Sequence, residues 1–179
     1  MAQDEVDSAL KALENAIITE REGRRFYEEA ARRTSDTHGK EMFKALVHDE
    51  EGHSQILEAE YSSLAGGRGW VDVKTARETQ VTGSRVRLFP QEASSSRLDV
   101  AKAISDLQVL EMAMDFERQG YHLYNQAAAQ TNDTNAKAVY EHLAKEENKH
   151  FTLLQETHDY LSNNGMWYFD NLEKPIFEG

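Results

Sequence analysis

Cysteine is absent from this chain. Its absence removes disulfides, thiolate zinc sites, iron–sulfur clusters and cysteine nucleophiles together, and it suits a reducing compartment. Proline is almost absent: the two prolines lie outside every stretch that reads as helix. Positive charge is scarce. Twenty Lys and Arg stand against 32 Asp and Glu, for a net charge of −12, which repels a phosphate backbone and argues against a nucleic-acid partner. No run of about 18 apolar residues exists to span a membrane as a helix. The opening Met-Ala-Gln-Asp-Glu-Val-Asp has neither the basic start nor the apolar core of a secretion signal. The expectation is a cytoplasmic protein with neither membrane nor nucleic acid as partner.

What the chain does have is helical periodicity, twice over. Residues 113–158 align without a gap on 16–61 with 15 of 46 positions identical, an internal repeat. Apolar residues recur at steps of three or four, predicting helices over about Asp4–Arg33, Thr37–Leu64, Arg97–Gln130 and Asn135–Ser162. Even the turns repeat, Thr34-x-Asp36-Thr37 against Thr131-x-Asp133-Thr134, with side-chain oxygens suited to capping helix N-termini. The expected fold is therefore all-α. One domain over 1–179 is expected, with a first hairpin at about 4–64, a crossover at about 65–96 without a helical stripe, a second hairpin at about 97–162 and a tail at 163–179. Gly66-Gly67-Arg68-Gly69 ends the second helix and Ser94-Ser95-Ser96 precedes the third. The crossover is long enough to run the length of a bundle or to exchange a hairpin with a neighbouring subunit.

On these stripes sit Glu20, Glu50-x-x-His53, Glu117 and Glu147-x-x-His150, each residue of the first set 97 positions before its counterpart. Glu and His three apart share a helical face. Two hairpins related by a pseudo-twofold axis would close these six groups into a box. Each of two ions would take one His, one terminal Glu and two carboxylates shared by both. Four carboxylates balance two divalent ions; without a cation, each would cost several kcal/mol to bury or would take up a proton. Oxygen and imidazole ligands suit iron, manganese or zinc. A zinc protease helix is excluded, because His48 and His53 are five apart and that motif needs four. Tyr27 and Tyr124 follow the lone glutamates by two turns, placed either as core aromatics or as hydrogen-bond partners of a ligand carboxylate. For Gly23 and Gly120, close helix packing is the simplest explanation, and space beside the site for dioxygen or peroxide is the alternative. The other five histidines, His38, His48, His122, His142 and His158, have no histidine counterpart in the repeat and read as surface or satisfied residues.

These motifs, Ala16-Ile-x-x-Glu20-x-x-Gly-x-x-Phe-Tyr27 with Leu46-x-x-x-Glu50-x-x-His53 and their counterparts from Ala113 and Leu143, resemble the rubrerythrin branch of the ferritin-like superfamily. The resemblance implies a four-helix bundle with a long crossover and two iron ions, bridged by Glu50 and Glu147. It also implies peroxidase or ferroxidase chemistry on hydrogen peroxide or dioxygen, and a homodimer with hairpin exchange as one form. Full-length rubrerythrins add a four-cysteine iron domain; lacking cysteine, this chain would need an external electron donor. They also carry a carboxylate where Gly120 stands here, so the site is more symmetric. An iron-sequestering subunit of a larger assembly and a non-catalytic helical dimerisation module are the rival readings.

Overall fold

The computed structural model describes residues 3–79 and 105–165. Within them the chain forms α1 (Gln3–Arg33), α2 (Thr37–Ala65), α3 (Val73–Glu78), α4 (Asp106–Gln130) and α5 (Thr134–Asn164). The described residues contain no strand. None of their helices is long and apolar enough to cross a membrane.

The repeated turns work as repeated caps. Asp36 accepts from the Gly39 N–H at 2.8 Å, and Asp133 accepts from Asn135 and Ala136 at 2.9 and 3.0 Å. Two residues earlier in each motif, Thr34 and Thr131 accept from the Asp backbone N–H. These bonds satisfy donors that a helix start leaves unpaired. Gly165 closes α5 in the left-handed region at φ 65°, where glycine carries no Cβ penalty. The short turns fold α1 against α2 and α4 against α5 as two antiparallel hairpins, which close into a four-helix bundle.

Two expectations need correction. The third long helix does not begin near Arg97: Ser105 is extended and forms a capping box with Gln108, so α4 starts at Asp106. The crossover is not free of helix either. Asp72 caps the six-residue α3, whose Ala76 is fully buried and whose Arg77 donates to His142 Nε2 at 2.9 Å. Ser94-Ser95-Ser96 and the aromatic tail residues Trp167, Tyr168, Phe169 and Phe177 lie outside the described residues.

The core is divided in two. One apolar cluster contains Leu13, Ile17, Leu57, Trp70, Tyr140 and Leu143; the other contains Phe26, Met42, Phe43, Leu46, Leu110 and Leu154. Each fully buried side chain of this kind contributes about 1.5–3 kcal/mol. Glu20, Glu50, Glu117 and Glu147, all at most 2% exposed, share this interior with them.

Glu60 is a buried acid without a counterpart, since the repeat places Thr157 at its position. It accepts one bond, from Val71 N–H at 3.1 Å, and its other oxygen has none. Burial, reinforced by Asp133 and Asp72, raises its carboxyl to about 7. The unfolded chain releases this proton near 4.5 and the folded chain only near 7. Stability of the metal-free protein should therefore fall across that window as pH rises. Glu60→Gln keeps the acceptor and removes the ionisation. We expect it to stabilise the metal-free protein by about 2–3 kcal/mol at pH 8 and to leave it nearly unchanged at pH 4.5. Denaturant midpoints at the two pH values check this.

Candidate metal centre

Each long helix contributes its ligand-type side chains from the stripe that faces the bundle axis. α1 brings Glu20, α2 brings Glu50 and His53, α4 brings Glu117, and α5 brings Glu147 and His150. All six are buried. They fall into two overlapping groups, Glu20–Glu50–His53–Glu147 and Glu50–Glu117–Glu147–His150, whose ligand atoms lie within 4.8 Å of one another. Glu50 and Glu147 belong to both.

The two halves are arranged alike. His53 Nδ1 lies 3.2 Å from Glu20 Oε2 and 3.3 Å from Glu147 Oε1. His150 Nδ1 lies 3.4 Å from Glu117 Oε2 and 3.6 Å from Glu50 Oε1. The imidazoles stack with centroids 5.5 Å apart.

The tyrosines cross between hairpins. Tyr27 on α1 donates to Glu117 Oε1 on α4, and Tyr124 on α4 donates to Glu20 Oε1 on α1. Both phenols are fully buried, and burial followed by the nearby carboxylates pushes them well above the ordinary tyrosine value. They stay protonated and remain donors.

Without a cation the centre is electrostatically frustrated. Burial, then the negative neighbours Glu20, Glu147 and Glu117, drives the Glu50 carboxyl well above the carboxylate range. Burial, then Glu20 and Glu117, does the same to Glu147. Burial opposes the charged form of His150, but the hydrogen bond with Asp49 and the close Glu117 carboxylate outweigh it and hold the ring up to about 9. Both oxygens of Glu50, Glu117 Oε2, Glu147 Oε1 and His150 Nδ1 are buried without a hydrogen bond. A buried polar atom left unpaired costs about 1–3 kcal/mol. Four carboxylates and two imidazole nitrogens facing one another are the donor set for two hard-to-borderline divalent cations, so the residues fit such a pair.

Three features were not read from the sequence. Asp49 Oδ2 sits 3.2 Å from His150 Nε2, across the hairpin interface, where it fixes the tautomer that turns Nδ1 inward. Its counterpart Glu146 instead accepts from Lys149 at 2.8 Å. An acid before the Glu of each Glu-x-x-His, Asp49 and Glu146, was the available signal. The second feature is Arg21, which repeats as Arg118 and reads as a solvated position. It reaches across to Glu58 at 2.7 Å, whereas Arg118 pairs locally with Asp115.

The third feature adds to the packing explanation of the glycines. A Cβ on Gly120 would lie 2.6 Å from Glu147 Oε2; one on Gly23 would lie 2.5 Å from a Phe116 ring carbon and 3.0 Å from Glu50 Oε2. Gly23 thus admits close packing by Phe116, and Gly120 leaves room for the shared Glu147 carboxylate. In Gly120→Ala, a helix-propensity gain of about 1 kcal/mol is offset by overpacking of about 1–3 kcal/mol. Metal affinity should fall about 10–100-fold as Glu147 is displaced. Gly52→Ala, where nothing lies within 4 Å, is the control and should bind metal normally in the same calorimetric titration.

Comparison with known proteins agrees with this geometry. The family model described as rubrerythrin matches residues 11–158. A hypothetical protein from Pyrococcus furiosus superposes with a TM-score of 0.67 at 22% identity, over 89% of this chain and 93% of that one. A two-domain protein from Anabaena variabilis, containing DJ-1/ThiJ/PfpI-like and ferritin-like domains, superposes with a TM-score of 0.66 at 16% identity. That match covers 97% of this chain but 41% of the Anabaena protein. No curated protein matches the sequence. With most of its length matched by the family model, and with a ferritin-like bundle and a clustered Glu/His site, this chain belongs to the rubrerythrin family.

Proposed function

We propose that the six clustered side chains hold two iron ions, and that the protein is a non-haem di-iron oxidoreductase of peroxidase or ferroxidase type. Its oxidant is hydrogen peroxide or dioxygen, and its electrons come from an external donor. The observation that carries this reading is the set of five buried ligand atoms without hydrogen bonds, drawn from three of the four long helices and facing one another. The family supports the same chemistry.

Glu50 and Glu147 are the shared carboxylates in this reading, because they alone belong to both groups. Glu20 and Glu117 serve one ion each, and His53 and His150 present Nδ1. Manganese or zinc would suit the same donors. When bound, the metal pair supplies one electron per ion and Lewis acidity. Tyr27 and Tyr124 each occupy one oxygen of a terminal carboxylate and leave the other turned inward. The apolar clusters limit water, so buried charges act more strongly there than they would in solvent. A single domain over 1–179, a homodimer with or without hairpin exchange, and a cytoplasmic setting complete the proposal.

The test is anaerobic addition of two Fe(II) per chain, then one equivalent of peroxide or dioxygen. We expect rapid ferric absorption that His53→Ala suppresses, and the faster oxidant identifies the activity. Oxidation no faster than that of iron free in buffer would contradict the proposal.

A further inference from the structure

Among the described residues, three redox-active rings lead away from the centre on one side. Tyr124, whose phenol donates to Glu20, stacks on Tyr140 with centroids 6.3 Å apart, and Tyr140 meets Trp70 edge-on at 5.5 Å. Trp70 and Tyr140 line a groove of about 430 Å³ beside Asp4, Ala9, Ala127 and Asp133. Trp70 is 8% exposed, Tyr140 4% and Tyr124 0%, so the series runs from the groove to the interior. The repeat supplies an internal comparison. Tyr27 stacks in the same way on Phe43, at 6.2 Å, but Phe43 is the counterpart of Tyr140 and its ring is not readily oxidised. Among the described residues, the path through Tyr140 is the unbroken one.

We propose that Trp70, Tyr140 and Tyr124 form a one-electron relay between the metal centre and a soluble reductant that reaches the groove. It would be needed if the ions that these residues would hold supplied only one of the two electrons that peroxide requires. Reduction of H2O2 to two waters consumes two electrons and two protons, so one electron is missing. Tyr124 supplies it and passes its phenolic proton to Glu20. Tyr140 then reduces the Tyr124 radical. Tyr124 recovers its proton from Glu20, and Tyr140 releases its own to water in the groove that it lines. Trp70 reduces the Tyr140 radical, which regains that proton. The reductant at the groove restores Trp70 and is itself oxidised by one electron. The relay is left unchanged, and the two protons consumed come from solvent.

The relay rests on the di-iron reading only for its inner end, so its outer part is tested without metal. In a Trp167→Phe background, where Trp70 is the one remaining tryptophan, azide radicals from pulse radiolysis oxidise the indole. We expect the indolyl signal to convert to a tyrosyl signal by a first-order process independent of protein concentration. Tyr140→Phe should slow it about tenfold or more, and Phe43→Tyr should leave it unchanged. Concentration-dependent conversion, or an equal rate in Tyr140→Phe, would overturn the relay whatever metal binds. For the inner end, protein carrying one Fe(II) per chain is mixed with peroxide and freeze-quenched. Electron paramagnetic resonance should show a tyrosyl radical that persists longer in Trp70→Phe; ascorbate should quench it more slowly in that variant than in the unaltered protein. Iron oxidation with no radical, or a lifetime indifferent to Trp70, would overturn the connection to the centre.

Discussion

Stripping the metal with a chelator should lower the thermal midpoint of this protein by roughly 15–30 °C. A ligand that binds only the folded state at about 1,000 times its Kd adds about 4 kcal/mol, so two such ions add about 8 kcal/mol. For a chain of this size each kcal/mol moves the midpoint by about 2–4 °C. The effect is large because the centre is poorly satisfied alone: Glu50 is fully buried with neither oxygen hydrogen-bonded, and three other glutamates face it. Scanning calorimetry of chelated and reloaded protein measures the shift. A midpoint unmoved by chelation would mean that the carboxylates satisfy themselves without cations.

Glu50→Gln should have opposite effects on the two forms of the protein. In the metal-free form Glu50 must either hold a proton that the unfolded chain has released or carry an unscreened charge. Its carboxyl lies well above its ordinary value, first because of burial and then because of Glu20, Glu147 and Glu117. The proton is bound in the folded state and released in the unfolded state above about pH 4.5, so this cost is present at pH 7 and absent at pH 4. Removing the ionisation should stabilise the metal-free protein by up to about 3 kcal/mol at pH 7. The amide is a much poorer shared ligand, so most of the metal-dependent stabilisation should disappear. Paired melts at pH 7, with and without metal, check both signs. A variant less stable than the parent without metal would show that the Glu50 charge has a partner that this account omits.

The parts of the molecule visible in its sequence are those that repeat. The 97-residue register put six ligand-type residues on inward stripes, and the doubled Thr-x-Asp-Thr turn marked two helix starts within a residue or two. What was hidden depends on approaches between helices. A stripe says that Tyr27 faces inward, but not that its hydroxyl crosses to Glu117 on the other hairpin. Gly23 and Gly120 look like weak helix residues until the carboxylates that lean over them are placed. Asp49 reads as solvent-facing, and it is half exposed, yet its carboxylate meets His150. The short α3 has too few residues for periodicity to register, and the start of α4 was masked by helix-compatible residues upstream of Ser105. Glu60 and Tyr140 stood out least, because each breaks the repeat that made the rest legible.

The central assertion is that Glu20, Glu50, His53, Glu117, Glu147 and His150 together enclose two metal ions. Anomalous diffraction at the iron edge, on crystals of iron-loaded protein, tests it most directly. Two peaks per chain, between the Glu50 and Glu147 carboxylates and each beside one histidine, are predicted. No peak there, or iron bound only at surface carboxylates, would contradict it.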